Sequence, residues 1–263
     1  MILHAIEAGT GPCVVLLHGL FGSARNFGLV QRRLAATHRV LALDLRNHGA
    51  SPHDPAMDYP AMAADVLETL AARRALPAVL IGHSMGGKVA MQAALAQPGS
   101  VTALLVADIA PVAYPPHFQA IAAAMAALPL AAGLTRAGAD SALAAVVPDP
   151  SLRAFLLQNL VTGAGAGTAA HWRIGLDAII AGLDVIGGWA GPDGARYPGP
   201  VLVLAGANSD YIRPDHRPLF RALFPAARFA SLRHAGHWLH ADNPAGFLAV
   251  VEAFLAARAG GTT

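Results

Sequence analysis

One serine is held between glycines at a point where an apolar run gives way to a helical pattern. Gly82, Ser84 and Gly86 have the spacing G-x-S-x-G, between the apolar run 77–81 and the helix-like run 88–96. Glycine lacks a Cβ, so it tolerates the close backbone approach of a sharp turn. The pattern predicts a strand, a tight turn that presents Ser84, and a helix whose N-terminus faces the serine hydroxyl.

Short apolar runs alternate with helical patterns through the first 110 residues, and the alternation resumes near residue 200. Continuous apolar strands separated by helices are typical of a parallel sheet covered on both faces. We therefore predict an α/β fold with a mostly parallel central sheet flanked by helices. The predicted strands are 14–17, 39–43, 78–81, 101–107, 201–205 and 228–232, and a final amphipathic helix spans 244–258.

The intervening stretch has a different character, with many alanines, glycines and prolines and no convincing strand. We predict a mainly helical cap over residues 113–198, inserted into a core formed by residues 1–112 and 199–263. Its predicted helices are 118–128, 152–161 and 168–180, and 163–167 is a predicted loop. Large apolar side chains of this stretch either line a pocket or form the cap's own core: Tyr114, Phe118, Met125, Phe155 and Trp172.

Composition favours one compact globular domain with an insertion. The chain has 263 residues, 55% hydrophobic and 13% charged, with a net charge of +2 that is too small to indicate nucleic acid. Cys13 is the single cysteine, so no intrachain disulfide is possible. The apolar run 120–134 is interrupted by Pro129 and is too short for a membrane span. We expect a cytoplasmic protein without a signal peptide, and the sequence leaves its oligomeric state open.

A serine hydroxyl becomes an effective nucleophile when a histidine accepts its proton and a carboxylate orients that histidine. His237 follows the last predicted strand, and Gly236 permits a tight loop there. His234 and His240 share an H-x-x-H-x-x-H spacing with it, which suggests a metal site. These side chains span a strand end, a loop and a helix start and need not converge, and no cysteine lies nearby. We expect neither a metal nor a cofactor.

Two carboxylates compete for the role of the acid. Asp108 directly follows the predicted strand 101–107, and Asp210 lies in the loop after 201–205. Proteins that present a serine in such a turn commonly carry the acid in this later loop, as the last residue of a G-x-x-D pattern. Counted from Gly206, Ser209 stands at that position and Asp210 comes one residue later. This shift favours Asp108, and Ser209 is expected to hydrogen-bond to the pair of Asp108 and His237. Asp210 remains the alternative acid.

A second glycine-containing turn, residues 18–23, follows the predicted strand 14–17. In a strand–turn–helix arrangement of this kind, a backbone N–H from this turn joins that of the residue after the nucleophile to hold an oxyanion. Leu20 and Met85 are the predicted donors, with Phe21 as the alternative to Leu20.

Together these motifs resemble the α/β-hydrolase superfamily and, within it, the YbfF-like esterases. The resemblance covers nearly the whole chain and rests on residues 18–23, 44–49, 82–88, 108–111, 206–209 and 236–238. It implies carboxylester hydrolysis without a cofactor, with the acid after the strand that follows the serine turn, which supports Asp108. The cap matches only in general character.

We predict a serine hydrolase that cleaves short acyl or aryl esters of small molecules through an acyl-enzyme. A thioesterase, a lactonase or a carbon–carbon bond hydrolase would use the same three residues. A lyase resembling the menaquinone-pathway synthases is a further alternative, since Arg25, Arg46 and Lys88 could recognise an anionic substrate. A non-catalytic role is disfavoured by the complete set of residues.

Overall fold

The computed structural model describes residues 1–163, 168–192 and 194–259. The strands among them are β1 (Ala5–Ala8), β2 (Cys13–Leu17), β3 (Arg39–Leu43), β4 (Ala78–His83), β5 (Val101–Ala107), β6 (Leu160–Val161), β7 (His171–Trp172), β8 (Val201–Gly206) and β9 (Ala227–Leu232). The helices are α1 (Gly28–Leu34), α2 (Tyr59–Ala72), α3 (Met85–Ala96), α4 (Gln119–Ala126), α5 (Arg136–Leu143), α6 (Pro150–Leu157), α7 (Leu176–Gly187), α8 (Arg217–Leu223), α9 (Leu239–Asp242) and α10 (Pro244–Ala259). None of these helices has both the length and the apolar character that crossing a membrane requires.

A seven-stranded sheet forms the centre of the described part, in the order β1-β3-β2-β4-β5-β8-β9. Strand β1 runs antiparallel to β3 at one edge, and the remaining neighbours are parallel. The predicted α/β fold with a mostly parallel sheet is confirmed. Strand β1 was not predicted, because it lacks a continuous apolar run: Glu7 is exposed and its other three residues are half-buried.

Alternate residues of each strand face opposite sides of the sheet and fill two separate cores. Val15 and Leu17 belong to a core shared with α2 and α3, while Val14 and Leu16 belong to one shared with α1 and α10. Both sheet faces are therefore covered, which explains why the parallel strands are apolar throughout.

The parallel strands all end at the same edge of the sheet. The loops after β2, β4, β5, β8 and β9 consequently meet there, and they contain the motifs singled out in the sequence. In open α/β sheets this carboxyl edge is where ligands bind.

The segment between β5 and β8 contains α4 to α7 and a two-stranded sheet of β6 and β7. The prediction of a helix over 168–180 was wrong at its start, because Trp172 pairs with Leu160 in this small sheet and α7 begins only at Leu176. The helix predicted over 152–161 ends at Leu157 for the same reason. In the loop predicted at 163–167, residues 164–167 lie outside the described residues.

Polar groups of the inserted segment bind directly to the core. The Tyr59 hydroxyl donates a 2.6 Å hydrogen bond to the Ile186 carbonyl, and the Asn159 amide donates one of 2.8 Å to the Phe21 carbonyl. Both Tyr59 and Asn159 are buried. These bonds hold the insertion against the carboxyl edge of the sheet.

The turn between β4 and α3 leaves no room for a side chain at Gly82, where a Cβ would lie 2.2 Å from the carbonyl oxygen of Gly86. We predict that Gly82→Ala lowers the free energy of unfolding by about 1–3 kcal/mol, because the added Cβ forces rigid backbone to move. Gly99→Ala is the matched control, since nothing lies within 4 Å of its Cβ position. Urea denaturation of both variants measures the difference, and equal losses would contradict the prediction.

Candidate active site

Ser84 lies between β4 and α3 with a backbone conformation that side chains rarely adopt. Its φ is 52° and its ψ is −123°, and its N–H donates a 2.9 Å hydrogen bond to the carbonyl of Ala107. A Cβ at Gly86 would lie 2.4 Å from the carbonyl oxygen of Leu17, so α3 packs directly against the end of β2. The strained turn aims the serine side chain out of the carboxyl edge of the sheet.

His237, in the loop after β9, joins Ser84 to Asp108. Its Nε2 lies 3.0 Å from Ser84 Oγ, and its Nδ1 lies 2.9 Å from Asp108 Oδ2. With Nδ1 protonated, the imidazole donates to the carboxylate and presents the unprotonated Nε2 to the hydroxyl. This is the geometry in which a histidine accepts a serine proton.

Asp108 is fully buried and held by donors from the loop after β8. Its Oδ1 accepts a 2.9 Å hydrogen bond from the N–H of Gly206, and its Oδ2 accepts one from the Ser209 hydroxyl. Asp210, the alternative acid, is exposed to solvent and is not a hydrogen-bond partner of His237. The structure thus brings Asp108 and Ser209 together with His237 and leaves Asp210 outside.

Two further side chains, which were not predicted from the sequence, hold His237 in place. Tyr211 stacks on its imidazole, with the ring centroids 4.0 Å apart. His83 Nε2 lies 2.7 Å from the backbone carbonyl oxygen of His237. Burial lowers the pKa of His83 well below its ordinary value, so the neutral ring donates to that carbonyl. The only sequence signals were their positions, one beside Ser84 and the other beside Asp210.

The loop after β2 is held by two buried histidines. His48 Nε2 accepts the N–H of Phe21 at 3.1 Å, and His18 Nε2 accepts the N–H of Leu45 at 3.0 Å. The Nδ1 of each ring lies 2.8 Å from a backbone carbonyl, to which it donates. Burial lowers the pKa of both rings, to about 3 for His48.

This arrangement distinguishes the backbone N–H of Phe21 from those of Leu20 and Met85. Phe21 has its N–H bound to His48, so it is not free to receive an anion. Within the described part of the chain, the N–H groups of Leu20 and Met85 have no hydrogen-bond acceptor. Both residues line the cavity that Ser84 opens into.

Two cavities meet at Ser84, and Leu20 and Phe118 contribute to the walls of both. The larger, of about 210 Å³, extends beneath the inserted segment and includes Met85. The smaller, of about 30 Å³, includes His237. Two separate spaces therefore lead away from Ser84.

The insertion supplies part of this lining. Tyr114 and Phe118 line the larger cavity, and Phe155 lines the smaller. Met125 is instead buried in the core cluster, and Trp172 packs against it with its indole N–H bonded to the Met125 carbonyl at 3.0 Å. The aromatic residues of the insertion thus divide between pocket and core.

Two of the three candidate anion-binding residues are engaged elsewhere. Arg46 is buried and pairs with Asp65 at 2.7 Å. Lys88 projects from α3 into the wall of the larger cavity, where Nζ donates to the carbonyls of Val112 and Gly188 at 2.8 and 2.5 Å. Burial lowers the pKa of Lys88 to about 7. Its hydrogen-bond donors fix the C-terminal end of α7 to the core.

The three histidines with H-x-x-H-x-x-H spacing do not share a ligand site. His234 is exposed, whereas His240 packs between Phe27 and His83, with ring centroids 4.9 and 5.0 Å away. Among the residues that the structure describes, no group of three or more histidine, cysteine or carboxylate side chains is arranged to hold a metal ion.

Comparison with known proteins agrees with this architecture. The model of the Alpha/beta hydrolase family matches residues 14–250. The sn-1-specific diacylglycerol lipase ABHD11 of Mus musculus is 42% identical over 255 residues, which cover 94% of this chain and 82% of that protein. Esterase YbfF of Escherichia coli strain K12 is 36% identical over 245 residues, 92% of each chain. A solved structure titled marine microorganism esterase superposes with a TM-score of 0.90 at 34% identity, covering 96% of this chain and 99% of that one.

The chain belongs to the α/β-hydrolase family. Both the predicted fold and the resemblance to YbfF-like esterases are confirmed, and the hydrolase class follows from them.

Protonation of His48 should be measurable as a loss of stability. The folded-state pKa, about 3, lies below the ordinary value of 6.5, so between these values the unfolded chain binds a proton that the folded chain does not. Stability therefore falls as the pH drops below 6.5, by about 1.4 kcal/mol per pH unit from this ring. NMR of the imidazole nitrogens should show His48 neutral, with the proton on Nδ1, down to pH 5. A protonation midpoint above pH 5 would contradict this.

Proposed function

We propose that this protein is a carboxylester hydrolase in which Ser84, His237 and Asp108 act as nucleophile, base and acid. The observation that carries the proposal is the continuous chain of hydrogen bonds from the serine hydroxyl through the imidazole to a buried carboxylate. Relatives named as an esterase and a lipase support the same chemistry.

In the first half of the reaction, Ser84 Oγ attacks the ester carbonyl carbon while His237 Nε2 takes the hydroxyl proton. Asp108 stabilises the imidazolium that forms and holds the ring in orientation. The carbonyl oxygen becomes an oxyanion, which the N–H groups of Leu20 and Met85 bind. Each such donor contributes about 3–4 kcal/mol to the transition state. The imidazolium then protonates the leaving alcohol, and the acyl group stays on Ser84.

In the second half, a water molecule takes the place of the alcohol. His237 removes a proton from that water as it attacks the acyl carbonyl, and the oxyanion forms in the same place as before. Collapse of the intermediate returns the proton to Ser84 Oγ and releases the carboxylic acid. No cofactor is required for either half.

The two cavities suggest where each half of the substrate lies. The leaving oxygen must approach His237 to be protonated, and His237 lines the smaller cavity. The acyl chain then extends past Leu20 and Met85 into the larger one, whose 210 Å³ and apolar walls suit a short to medium acyl chain. We further propose that residues 113–198 act as a cap that closes this acyl cavity.

Loss of Ser84 or Asp108 should remove ester hydrolysis. We expect Ser84→Ala to reduce kcat for p-nitrophenyl butyrate to near background, and Asp108→Asn to reduce it by about 10³–10⁴-fold, because the histidine loses its orienting partner.

Asp210→Asn is the matched control for the acid, since it makes the same chemical change at the exposed candidate. It should leave kcat close to the wild-type value. If Asp210→Asn were the more damaging change, the assignment of the acid would be wrong. No turnover of any ester or thioester by the wild-type protein would refute the proposed function.

A larger side chain on the inner face of α7 should change which acyl chains the larger cavity accepts. Leu183 is buried and lines the larger cavity. We expect Leu183→Phe to lower kcat/KM for hexanoate relative to acetate esters by about tenfold or more, since lost pocket volume excludes methylenes. Val185→Phe is the control, because Val185 is exposed on the same helix. Kinetics over an acyl-length series measure the effect, and an equal change for both esters would reject the acyl assignment.

A further inference from the structure

A third cleft, of about 450 Å³, lies where the inserted segment meets the loop after β2. Ser23 and Arg25 form the core side of this cleft, and Arg136, Gln158 and Arg173 form the side of the insertion. We call it the arginine cleft. Three guanidinium groups thus line one opening, and none of the lining residues is acidic.

Within the part of the chain that the structure describes, no carboxylate pairs with the positive charges of the arginine cleft. Within the described residues, Arg25, Arg136 and Arg173 form no ion pair with a carboxylate, and the Arg136 guanidinium donates only to the carbonyls of Leu157 and Leu160. Six other arginines are paired with acids: Arg33, Arg39, Arg46, Arg73, Arg153 and Arg213. The arginine cleft therefore differs from other unpaired arginines in that three of them line one opening. A cleft lined by charges of one sign concentrates ions of the opposite sign.

Gln158, a further polar residue of the cleft, also offers a hydrogen-bond donor. The Gln158 Oε1 accepts from the Asn26 amide at 3.3 Å, which leaves its NH₂ group for a ligand. Arginines and an amide donor together match an acceptor with several oxygens. Guanidinium groups bind carboxylates and phosphates alike in a bidentate manner, and a phosphate has enough oxygens to engage more than one guanidinium at once.

One carboxylate lies behind the cleft. Asp44 is buried beneath Gly49, where a Cβ would lie 2.1 Å from its Cγ. Its oxygens already accept hydrogen bonds from the N–H groups of Ala24 and Ala50 and contact His4 Nδ1. Asp44 therefore offsets part of the positive charge without pairing with any of the three arginines.

The arginine cleft is adjacent to the leaving-group side of the active site. Phe21 forms part of its wall and part of the wall of the smaller cavity, the one that includes His237. Phe155 and Gln158 lie three residues apart, on α6 and just after its end, the first lining the smaller cavity and the second the arginine cleft. Phe21 is thus the residue at which the leaving-group side of the site and the arginine cleft meet.

We infer that the arginine cleft binds a phosphate carried by the leaving group, so that the preferred substrates are acyl esters or thioesters of a phosphorylated alcohol or thiol. The inference rests on the proposed function, because it uses the leaving-group side of the same site. Hydrolysis adds water across the acyl bond, which releases the carboxylic acid and the phosphorylated alcohol or thiol.

Two pairs of substrates separate the sources of such a phosphate. One pair is 1-butyrylglycerol and 1-butyrylglycerol 3-phosphate, and the other is S-butyrylpantetheine and S-butyryl-4′-phosphopantetheine. We expect the phosphorylated member of at least one pair to have a higher kcat/KM by about tenfold or more. A preference in the first pair alone would identify a lipid-type phosphate as the ligand, and a preference in the second pair alone would identify the phosphate of a soluble carrier. A preference in both pairs would show that the cleft recognises the phosphate and not the rest of the leaving group.

Variants of the cleft decide whether the arginines are responsible. Arg25→Gln combined with Arg173→Gln should bring the ratio close to one while leaving kcat/KM for the neutral substrate near wild type. Arg32→Gln, at an exposed arginine of α1, is the control and should keep the full ratio. Equal kcat/KM within both pairs, or a preference that survives the double substitution, would overturn the inference.

Calorimetry distinguishes a failure of the phosphate inference from a failure of the proposed function. Glycerol 3-phosphate and 4′-phosphopantetheine, the leaving groups themselves, are titrated into the wild-type protein and into the double variant. Absence of all ester and thioester turnover would remove the proposed function, and binding that the double variant loses would still establish the phosphate site. Absence of binding alongside normal turnover of neutral esters would reject the phosphate site alone.

Discussion

The close contact of α3 with the end of β2 is the constraint on which the site depends. The carbonyl oxygens of Leu17 and His18 lie 2.4 and 2.5 Å from where a Cβ of Gly86 would be, so the helix can sit there only because this residue is glycine. That contact sets the start of α3 beside the loop after β2. It therefore sets the distance between the N–H of Met85 and that of Leu20, two backbone donors on separate segments whose residues line the same cavity.

Backbone strain is concentrated around the same place. Phe21, Ser84 and Asp108 have φ values of 60°, 52° and 52°, although none of them is glycine. Each follows a strand of the sheet, and the N–H of each donates to a neighbouring segment. Phe21 donates to His48 Nε2, Ser84 to the Ala107 carbonyl, and Asp108 to the Leu204 carbonyl. Such conformations cost about 1–3 kcal/mol each and persist where the surroundings over-determine them. The paired strands supply that rigidity.

Much of this was predictable from the sequence because it is local. Apolar runs that end in Gly19, Ser84 or Asp108 identify both a strand and the residue at its carboxyl end, and the one-residue offset of Asp210 was enough to favour Asp108. The small sheet of β6 and β7 was not predictable, since two-residue strands have no periodicity and form only when the insertion folds. The contacts of Tyr211 and His83 with His237 also escaped prediction, because they depend on the paths of two distant loops.

The pairing of β5 with β8 has a consequence for how such proteins diversify. The inserted segment leaves the sheet after Ala107 and returns at Val201, on strands that are direct neighbours with Leu104 opposite Val201. Asp108 on the outgoing side and Gly206 on the returning side are joined by their own hydrogen bond. The sheet thus closes the gap beneath the insertion whatever that segment contains. Evolution could exchange or lengthen the roughly ninety residues between these strands without disturbing the hydrogen bonds that join Ser84, His237 and Asp108.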